Sequence, residues 1–404
     1  MKITSSYSHI REEEKAVSDI CNRLTISNPG FIVCYYTEEY SAAALCDALT
    51  KAFPKSKIHG CSSSSGVMTD EGYHEGPVVA VLAIADDAPF SSYGTAIQHF
   101  PEKDKCNKQR IKLLTHQVLE QAIKNADRIG ELPDLVIIHS TFGYEEFMVE
   151  QVEEQLGGRI KLIGGSAADN NLTGDWSIIT ETASSDSGLS ISVLYPSKPL
   201  LTAFSSGYAP SVYGGTVTKA KGRDLIEING KNAGEVYTNW VDEYLMLSEN
   251  TFNSENINAL FPLGRIAGRI FGNPYYKLSH PQMVNPDGSI TLFTDIDQGE
   301  HIHLMVGGQE QLVNRAAQVT MSAINSQPTE IDLKGGINIF CAGSQQVIVD
   351  ELDQIHKTTK QAYRNAPFIC PFTYGEQGCF ANGENAHGNL MLSSVIFYSE
   401  VTPL

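Results

Sequence analysis

Three segments rich in glycine, serine and polar residues are the parts of this sequence best suited to bind a small ligand. They are residues 60–66 (GCSSSSG), 164–170 (GGSAADN) and 374–378 (YGEQG). Glycine lets the backbone approach a ligand closely, and serine hydroxyls both donate and accept hydrogen bonds. The same segments are equally consistent with tight turns after strands. The ligand-binding candidates within them are Cys61, Ser62, Ser63, Gly164, Gly165, Ser166, Asp169, Tyr374 and Glu376.

These segments do not match the known phosphate-binding loops. Residues 60–66 lack the Lys-Ser/Thr ending of a P-loop, and no G-x-G-x-x-G motif opens a predicted helix. Nucleotide binding is therefore a weak hypothesis. Asp169 and Glu376 could anchor a polar ligand, although carboxylates in loops are more often solvated or used as caps. Nothing in their spacing indicates a paired-carboxylate mechanism.

Cys61 could act as a nucleophile. His59 lies two positions earlier, so both side chains share one face if this stretch is a strand. A catalytic thiolate also needs an oxyanion site and an orienting group, which the sequence does not reveal. Gly165 aligns with Cys61 in the second segment, so the turn itself does not require a thiol. A Cys61-dependent hydrolase is kept as an alternative to a ligand-lining or structural cysteine.

Two of the eleven histidines are candidates for binding a cofactor such as haem. His139 ends an apolar run, and His387 follows the third segment. His301 and His303 alternate along a predicted strand and could chelate a metal, but their spacing identifies no third ligand. Each histidine is also consistent with an ordinary hydrogen-bonded side chain.

A weak internal repeat predicts the elements that carry these segments. Phe31 and Leu135 are 104 positions apart (135 − 31), and so are Lys57 and Lys161 (161 − 57). Apolar runs predict buried strands, and apolar residues spaced by three and four predict helices between them. We expect the order strand, helix, strand at 30–36, 38–53 and 57–62, again at 134–141, 143–156 and 161–166, and again at 336–343, 345–363 and 367–372.

This order predicts an α/β protein whose mixed sheets are built from strand–helix–strand repeats. A crossover helix joins parallel strands, and the apolar strand after each polar loop extends the sheet. Ligands of such sheets lie at the carboxyl ends of the parallel strands, where the three segments begin. A strand-rich stretch between the second and third units indicates a second domain. We place two closely packed domains at 28–215 and 222–398.

Composition restricts the partners that we expect. Hydrophobic residues make up 42% and charged residues 19% of the 404 residues, which is typical of a globular protein. The formal net charge of −18 disfavours nucleic acid and anionic lipid. No apolar stretch reaches the ~20 residues that a spanning helix needs, and the N-terminus lacks a signal core. We therefore expect a cytoplasmic protein without membrane insertion. The eight cysteines include no C-x-x-C pair.

Taken together, the motifs resemble those of the FIST family. Residues 58–63 (IHGCSS) and 162–169 (LIGGSAAD) are similar to the two signature loops of the FIST N-terminal domain. The sequence departs from the usual pattern at Gln377, where an apolar residue more often follows the glutamate. Similarity to the FIST C-terminal domain lies in 225–233 (LIEINGKNA), 261–264 (FPLG), 285–290 (NPDGSI), Gly299, 374–376 (YGE) and Asn389, so the resemblance covers about residues 28–398.

The resemblance implies a ligand-sensing module of signal transduction. Members of the family occur alone or fused to output domains, amino acids have been suggested as ligands, and some stand-alone bacterial members bind haem and sense nitric oxide with a partner histidine kinase. We expect a non-enzymatic sensor of a small molecule that acts on a separate output protein such as a histidine kinase. The alternatives are a haem-binding nitric oxide sensor, with His139 or His387 at the haem, and the Cys61-dependent hydrolase.

Overall fold

A computed structural model describes residues 1–102, 106–158, 160–247, 257–270 and 272–401. Strands and helices alternate along most of the chain. The strands are β1 (Lys2–Ser8), β2 (Phe31–Tyr36), β3 (Lys57–Ser62), β4 (Gly66–Thr69), β5 (Gly72–Glu75), β6 (Val79–Ala85), β7 (Ser92–His99), β8 (Leu135–Ser140), β9 (Leu162–Ser166), β10 (Ile178–Thr180), β11 (Ser184–Ser185), β12 (Gly188–Tyr195), β13 (Leu200–Ser206), β14 (Ala209–Lys221), β15 (Asp224–Ile228), β16 (Lys231–Asn232), β17 (Leu263–Ile270), β18 (Asn273–Ser279), β19 (Pro281–Val284), β20 (Ile290–Leu292), β21 (His301–Val306), β22 (Ile331–Cys341), β23 (Phe368–Thr373), β24 (Glu376–Cys379), β25 (Asn385–Gly388) and β26 (Met391–Glu400).

The helices cover the sheets, and two of them begin at a residue whose side chain caps the first turn. Ser41 accepts a hydrogen bond from the backbone N–H of Ala44, and Asn107 accepts one from Arg110, so each caps the helix that follows it. The helices are α1 (Glu13–Arg23), α2 (Ala42–Ala52), α3 (Lys108–Asn125), α4 (Glu145–Leu156), α5 (Ala233–Leu247), α6 (Ile257–Leu260), α7 (Gln309–Val313), α8 (Arg315–Asn325), α9 (Ala342–Val347) and α10 (Leu352–Ala362), with a 3-10 turn at Val349–Glu351.

Three mixed sheets repeat one strand arrangement. Their orders are β1-β6-β2-β3, β7-β12-β8-β9 and β13-β26-β22-β23, and each is extended by a hairpin next to its last strand. In each sheet the third and fourth strands of this order, such as β2 and β3, are parallel, and the other neighbouring strands are antiparallel. A helix precedes the first of the two parallel strands in the chain, and one or two helices connect it to the second. The predicted α/β class with repeated mixed sheets is confirmed.

Each unit gives its hairpin to a different unit. The β4–β5 hairpin follows β3 in the chain but pairs with β23 of the third sheet. The β10–β11 hairpin of the second unit pairs with β3, and the β24–β25 hairpin of the third unit pairs with β9. This cyclic exchange joins the three sheets by backbone hydrogen bonds, so the three units form one pseudo-threefold body.

A fourth sheet interrupts the third unit. It contains eight strands, ordered β18-β17-β21-β14-β15-β20-β19 with β16 beside β15, and it lies in the chain between β13 and β22. The first unit includes β1 and α1, which precede residue 28, and β14 continues past residue 215 as far as Lys221. The boundaries 28–215 and 222–398 stay a prediction.

The main core is shared by the three sheets. One cluster of buried residues includes Val33 on β2, Ile137 on β8 and Ile337 on β22, each on the first parallel strand of its unit. Separate apolar clusters lie between the first sheet and α1 and α2, and between the second sheet and α3 and α4. The largest cluster joins the third sheet to the eight-stranded sheet. Shared burial of this kind holds the carboxyl ends of the parallel strands close together.

Candidate functional site

The three glycine-rich segments meet at the carboxyl ends of β3, β9 and β23. The backbone N–H of Ala168 donates to the carbonyl of Ser62 at 3.1 Å, which joins the first two segments. Ser166 donates through its N–H to Gly375 at 3.0 Å and accepts from the N–H of Tyr374 at 3.0 Å, which joins the second and third. The side chains in this cluster are nearly all buried, so their contacts are with the protein.

The serines of the first segment bond to backbone groups. The hydroxyl oxygen of Ser62 accepts from the N–H of Ser177 at 2.9 Å. The hydroxyl of Ser63 donates to the carbonyl of Gly66 at 2.6 Å and accepts from the N–H of Phe372 at 2.8 Å. Both hydroxyls therefore satisfy buried backbone groups and connect the first unit to the other two.

Asp169 closes a loop of the second segment on itself. Its carboxylate accepts backbone N–H groups of four residues between 172 and 175, at 2.7 to 3.0 Å. The hydroxyl of Tyr374 donates to the same carboxylate at 2.8 Å. Burial alone would raise the pKa of Asp169, but these donors keep that pKa below its ordinary value. The pair Asp169 and Tyr374 thus fixes the second segment against the third.

Glu376 lies fully buried under the same cluster. Its carboxyl group accepts from the Thr373 hydroxyl at 3.1 Å and from the backbone N–H groups of Gly375 at 3.2 Å and Met391 at 3.1 Å. Burial nevertheless raises the pKa of Glu376 well above its usual range. This carboxyl group is linked to the hydrogen-bond network of the third segment.

The two glycines of the second segment permit close contact between strands. A Cβ atom at Gly164 would lie 2.1 Å from the carbonyl oxygen of Ile138 on β8. A Cβ atom at Gly165 would lie 2.5 Å from the Thr373 hydroxyl and 2.8 Å from Ile339 of the third sheet. Both residues therefore have a structural reason to be glycine, which is the packing of three sheets around their common axis.

Cys61 does not have the surroundings of a reactive thiol. It is fully buried in the shared core, and burial raises its pKa well above the ordinary value. The ring of His59 bonds through Nε2 to Ser190 at 2.8 Å, and burial lowers the pKa of His59 well below its ordinary value. A nucleophilic cysteine needs an accessible thiolate, so this environment does not support the Cys61-dependent hydrolase.

His139 uses both ring nitrogens within the protein. Its Nε2 lies 3.2 Å from the hydroxyl of Tyr35, and its Nδ1 lies 2.9 Å from the carbonyl of Gly165. The side chain is fully buried, and burial lowers its pKa to about 4. A haem iron needs a free imidazole nitrogen and open space beside it. The surroundings of His139 do not fit that group.

His387 lies instead in a largely buried ionic cluster that the sequence did not reveal. We call Glu145, Glu146, Arg223 and His387 the ionic cluster. Glu145 and Glu146 begin α4, Arg223 lies between β14 and β15, and His387 lies on β25. The Arg223 guanidinium contacts Glu145 at 2.8 Å and Glu146 at 3.2 Å. The cluster therefore joins the second unit to the eight-stranded sheet and to the third unit.

The ionic cluster is continuous with the glycine-rich segments. The hydroxyl of Ser166 donates to Glu145 Oε1 at 3.1 Å. A Cβ atom at Gly375 would lie 2.5 Å from His387 Cε1. Of the predicted site residues, Ser166 and His387 thus lie at the cluster, Cys61 lies in the shared core, and the others lie in and beside the hydrogen-bond network of the three segments.

Opposite charge compensates the burial of the two glutamates. Burial would raise the pKa of Glu145, but Arg223 and other donors hold that pKa below the ordinary value. The pKa of Arg223 is raised, because the attraction of Glu145 and Glu146 outweighs its burial. Asp295 adds a third acidic contact to Arg223 at 3.4 Å. The guanidinium also lies over the ring of Phe142, 4.5 Å from its centre.

Two hydrogen-bond donors of the ionic cluster have no partner within the part of the chain that the structure describes. Gln377 Nε2 lies 3.0 Å from His387 Nδ1. Because an amide nitrogen donates, Nδ1 is the acceptor and Nε2 carries the proton. This Nε2 and the Nη1 of Arg223 are buried and unpartnered. Buried donors without acceptors are costly, so the cluster is suited to a ligand that brings acceptor atoms.

The same tautomer bears on metal and haem binding. Glu145, Glu146 and His387 each offer one ligand atom. These three atoms lie within 4.8 Å of one another, a spacing that is compatible with a metal ion. However, Arg223 already contacts both carboxylates, and ligation through Nε2 would require His387 to change tautomer and Gln377 to turn its amide. The groups present therefore fit a hydrogen-bonded organic ligand better than a cation or a haem iron.

Sequence reasoning missed Glu145, Glu146 and Arg223. The available signal was the pair of adjacent glutamates at the start of a predicted helix, which usually indicates only a favourable helix terminus. Arg223 is separated from them by about eighty positions and follows a long strand. No local pattern connects the three residues before the eight-stranded sheet is folded.

Three cavities of the described residues lie away from these segments. The first, of about 330 Å³, lies around Asp134 and Lys161. The second, of about 400 Å³, lies between α8 and α10. The third, of about 600 Å³, lies between β13, α8 and the turn after β24.

The repeated sheets with an inserted sheet, and a polar site between them, define a two-part α/β protein. Family models match most of the chain, the FIST N domain at residues 30–231 and the FIST C domain at residues 233–379. The chain belongs to the FIST family, as its motifs predicted. FIST domains are generally sensory, ligand-binding domains of signalling proteins. Among the described residues, no helix is both long and apolar enough to span a bilayer.

Comparison with solved structures gives distant likenesses. A cyanuric acid hydrolase has 9% identity and a TM-score of 0.35, over 99% of this chain and 100% of that chain. A cyanuric acid hydrolase from A. caulinodans has 11% identity and a TM-score of 0.31, over 97% and 98%. PurLQS from Thermotoga maritima has 9% identity and a TM-score of 0.22, over 100% and 74%. No curated protein matched the chain. Likenesses this distant carry no argument about activity.

Proposed function

We propose that this chain is a cytoplasmic sensor that binds a small organic ligand at the ionic cluster and acts on a separate output protein such as a histidine kinase. The family supports a sensory role. One observation supports the place of binding: His387 Nε2 and Arg223 Nη1 are buried donors without acceptors. A ligand with carbonyl, carboxylate or similar oxygen atoms would satisfy both.

The position of the proposed site explains how ligand binding would change the packing of the protein and so its contact with an output protein. It is formed by the first turn of α4, by β25 of the second sheet, and by the segment before β15 of the eight-stranded sheet. Asp295, in the loop after β20, donates its backbone N–H to Glu146 at 2.8 Å and so ties the inserted sheet to α4. A ligand that bonds to Arg223 and His387 at once would favour the closely packed arrangement of these parts over looser ones.

Binding is tested by calorimetry and thermal shift on the full chain with a panel of amino acids, small carboxylates, nucleobases and haem. We expect at least one organic compound to bind saturably. Arg223→Lys and His387→Gln should each weaken that binding about tenfold, because each removes a donor or displaces it. Lys112→Gln is the matched control, since Lys112 forms an exposed ion pair with Glu154.

Each alternative result of these binding experiments has a definite interpretation. If haem alone binds and gives a Soret band, the narrower nitric oxide hypothesis replaces this one. If no compound binds, or if binding is the same in folded Arg223 and His387 variants, the ionic cluster is not the ligand site. Hydrogen exchange at residues 145–148 and 223–226, with and without ligand, should show slower exchange in the complex.

A further inference from the structure

A second cavity of this protein has the features of a binding site for an organic anion. It is the 600 Å³ cavity between β13, α8 and the turn after β24, a volume common among small-molecule sites. It lies apart from the ionic cluster. β9 begins directly after Lys161, which lines the cavity, and ends at Ser166 at the cluster. β24 runs from Glu376 to Cys379, which also lines the cavity.

Arg315 gives this cavity an unsatisfied positive charge. It is the first residue of α8, and its Nε and Nη2 atoms are buried without a hydrogen-bond partner. Its aliphatic stem packs against Gly207, where a Cβ atom would lie 3.2 Å from Arg315 Cδ. A guanidinium cannot lose its proton at neutral pH, so its buried N–H groups need an acceptor from elsewhere. Burial lowers the pKa of Arg315 only to about 10.

The rest of the cavity determines what kind of acceptor fits. No aspartate or glutamate occurs among the described residues that line it, although 47 of the 404 residues in the chain are acidic. Lys161 also lines the cavity, but its ammonium donates to the carbonyl of Leu200 at 2.7 Å and lies near Asp134. The unpartnered guanidinium of Arg315 therefore favours an anion over an ammonium group.

One wall of the cavity is aromatic. The ring of Phe380 lies 4.9 Å from Phe204 and 4.7 Å from Tyr275, centre to centre, and all three residues line the cavity. The Tyr275 hydroxyl is also buried without a partner. Such a wall stabilises an apolar body through burial of its surface.

We propose that this cavity binds an apolar monocarboxylate, with the Arg315 guanidinium paired to the carboxylate and the aromatic wall covering the hydrocarbon part. A planar carboxylate matches the two parallel N–H groups of a guanidinium. Because the cavity lacks acidic lining, it discriminates against amino acids and amines of the same shape. The proposal goes beyond the proposed function, since it concerns a different site and different residues.

The test uses phenylacetate as the probe, measured by isothermal titration calorimetry on the full chain. We expect saturable binding, with phenylacetamide, phenylalanine and phenethylamine each at least about tenfold weaker. Arg315→Gln should weaken phenylacetate binding at least about tenfold. Arg110→Gln, which makes the same change of charge at an exposed position on α3, should leave it unchanged.

A second variant keeps the test decisive if Arg315→Gln does not fold. Ser322 is exposed and lines the cavity, so Ser322→Trp obstructs it while leaving Arg315 in place. That variant should also lose binding. The proposal is overturned if phenylacetate, phenylpropionate and hexanoate all fail to bind, or if phenylacetamide binds as tightly as phenylacetate. It is also overturned if a folded Arg315→Gln or Ser322→Trp protein binds phenylacetate as the wild type does. Arg223→Lys, which tests the ionic cluster, should not affect this binding.

Discussion

His139 is a polar residue that the fold keeps uncharged. It is fully buried, its nitrogens lie near Tyr35 and Gly165, and the centre of its ring lies 4.9 Å from that of His59. Burial lowers its pKa from 6.5 to about 4. The unfolded chain therefore binds a proton between these pH values that the folded protein does not, so stability is complete above pH 6.5 and decreases as the pH falls towards 4.

The size of this contribution can be measured. A shift of this size changes the free energy of unfolding by about 2 kcal/mol between pH 7 and pH 4.5. Urea unfolding at the two pH values should show that His139→Gln loses less stability on acidification than the wild type does, by about that amount. His9→Gln, at an exposed position, is the control. Equal losses in the wild type and His139→Gln would contradict the account.

The sequence predicted polar residues of the site only where they belong to a recognisable local pattern. Ser166 and His387 were proposed from a glycine-rich segment and its neighbourhood, and both lie at the ionic cluster. Arg223 could not be found in this way, because a single arginine next to a strand is usually solvated. Its role depends on contacts with α4, which exist only after distant segments have folded.

The parallel strands β2 and β3 approach each other so closely that one position between them must be glycine. Gly60 faces Cys34 across the parallel pair, and a Cβ atom at position 60 would lie 1.7 Å from the carbonyl oxygen of Cys34. No side chain can move to relieve a clash with backbone. Gly60→Ala should therefore displace the two strands and destabilise the protein by about 3 kcal/mol or more.

A second glycine in the same unit serves as the control. A Cβ atom at Gly72, on β5, would have its nearest contact at 3.7 Å, with His74, and its backbone is not in the left-handed region. Gly72→Ala should change the free energy of unfolding by no more than about 0.5 kcal/mol in urea titrations. Similar effects of the two substitutions would show that packing at Gly60 is not the cause.

Element positions were predictable where periodicity was strong. Residues 38–53 were expected to be helical, and α2 occupies Ala42–Ala52, starting after the Ser41 cap. The helix expected at 345–363 is instead divided into α9, a 3-10 turn and α10. The division falls at Val347, Ile348 and Val349, whose branched side chains have low helix propensity. Ile348 leaves the helical conformation there, and its side chain is buried.

For the whole molecule, the repeat predicted three similar units but not how they are joined. Sequence spacing predicts a polar loop and then an apolar strand after each unit, whereas the hairpin formed there and its partner strand are set by the shared core. The hairpin after β3 pairs with β23, about three hundred positions later in the chain. Such long-range pairing has no local signal, and the same holds for the contacts between the inserted sheet and α4.

The exchange of hairpins between units predicts that the two halves of the chain depend on each other for folding. A fragment of residues 1–206 contains two complete units, but β4 then lacks β23, β9 lacks β24, and β13 lacks β26. Unpaired sheet edges and an uncovered core disfavour a cooperative fold. The fragment alone should aggregate or unfold without a cooperative transition, whereas co-expression with residues 207–404 should give a complex that co-purifies and unfolds as the intact chain does. A cooperative, monomeric 1–206 fragment would show that each unit is completed within itself, and the pseudo-threefold body would then be an association of independent parts.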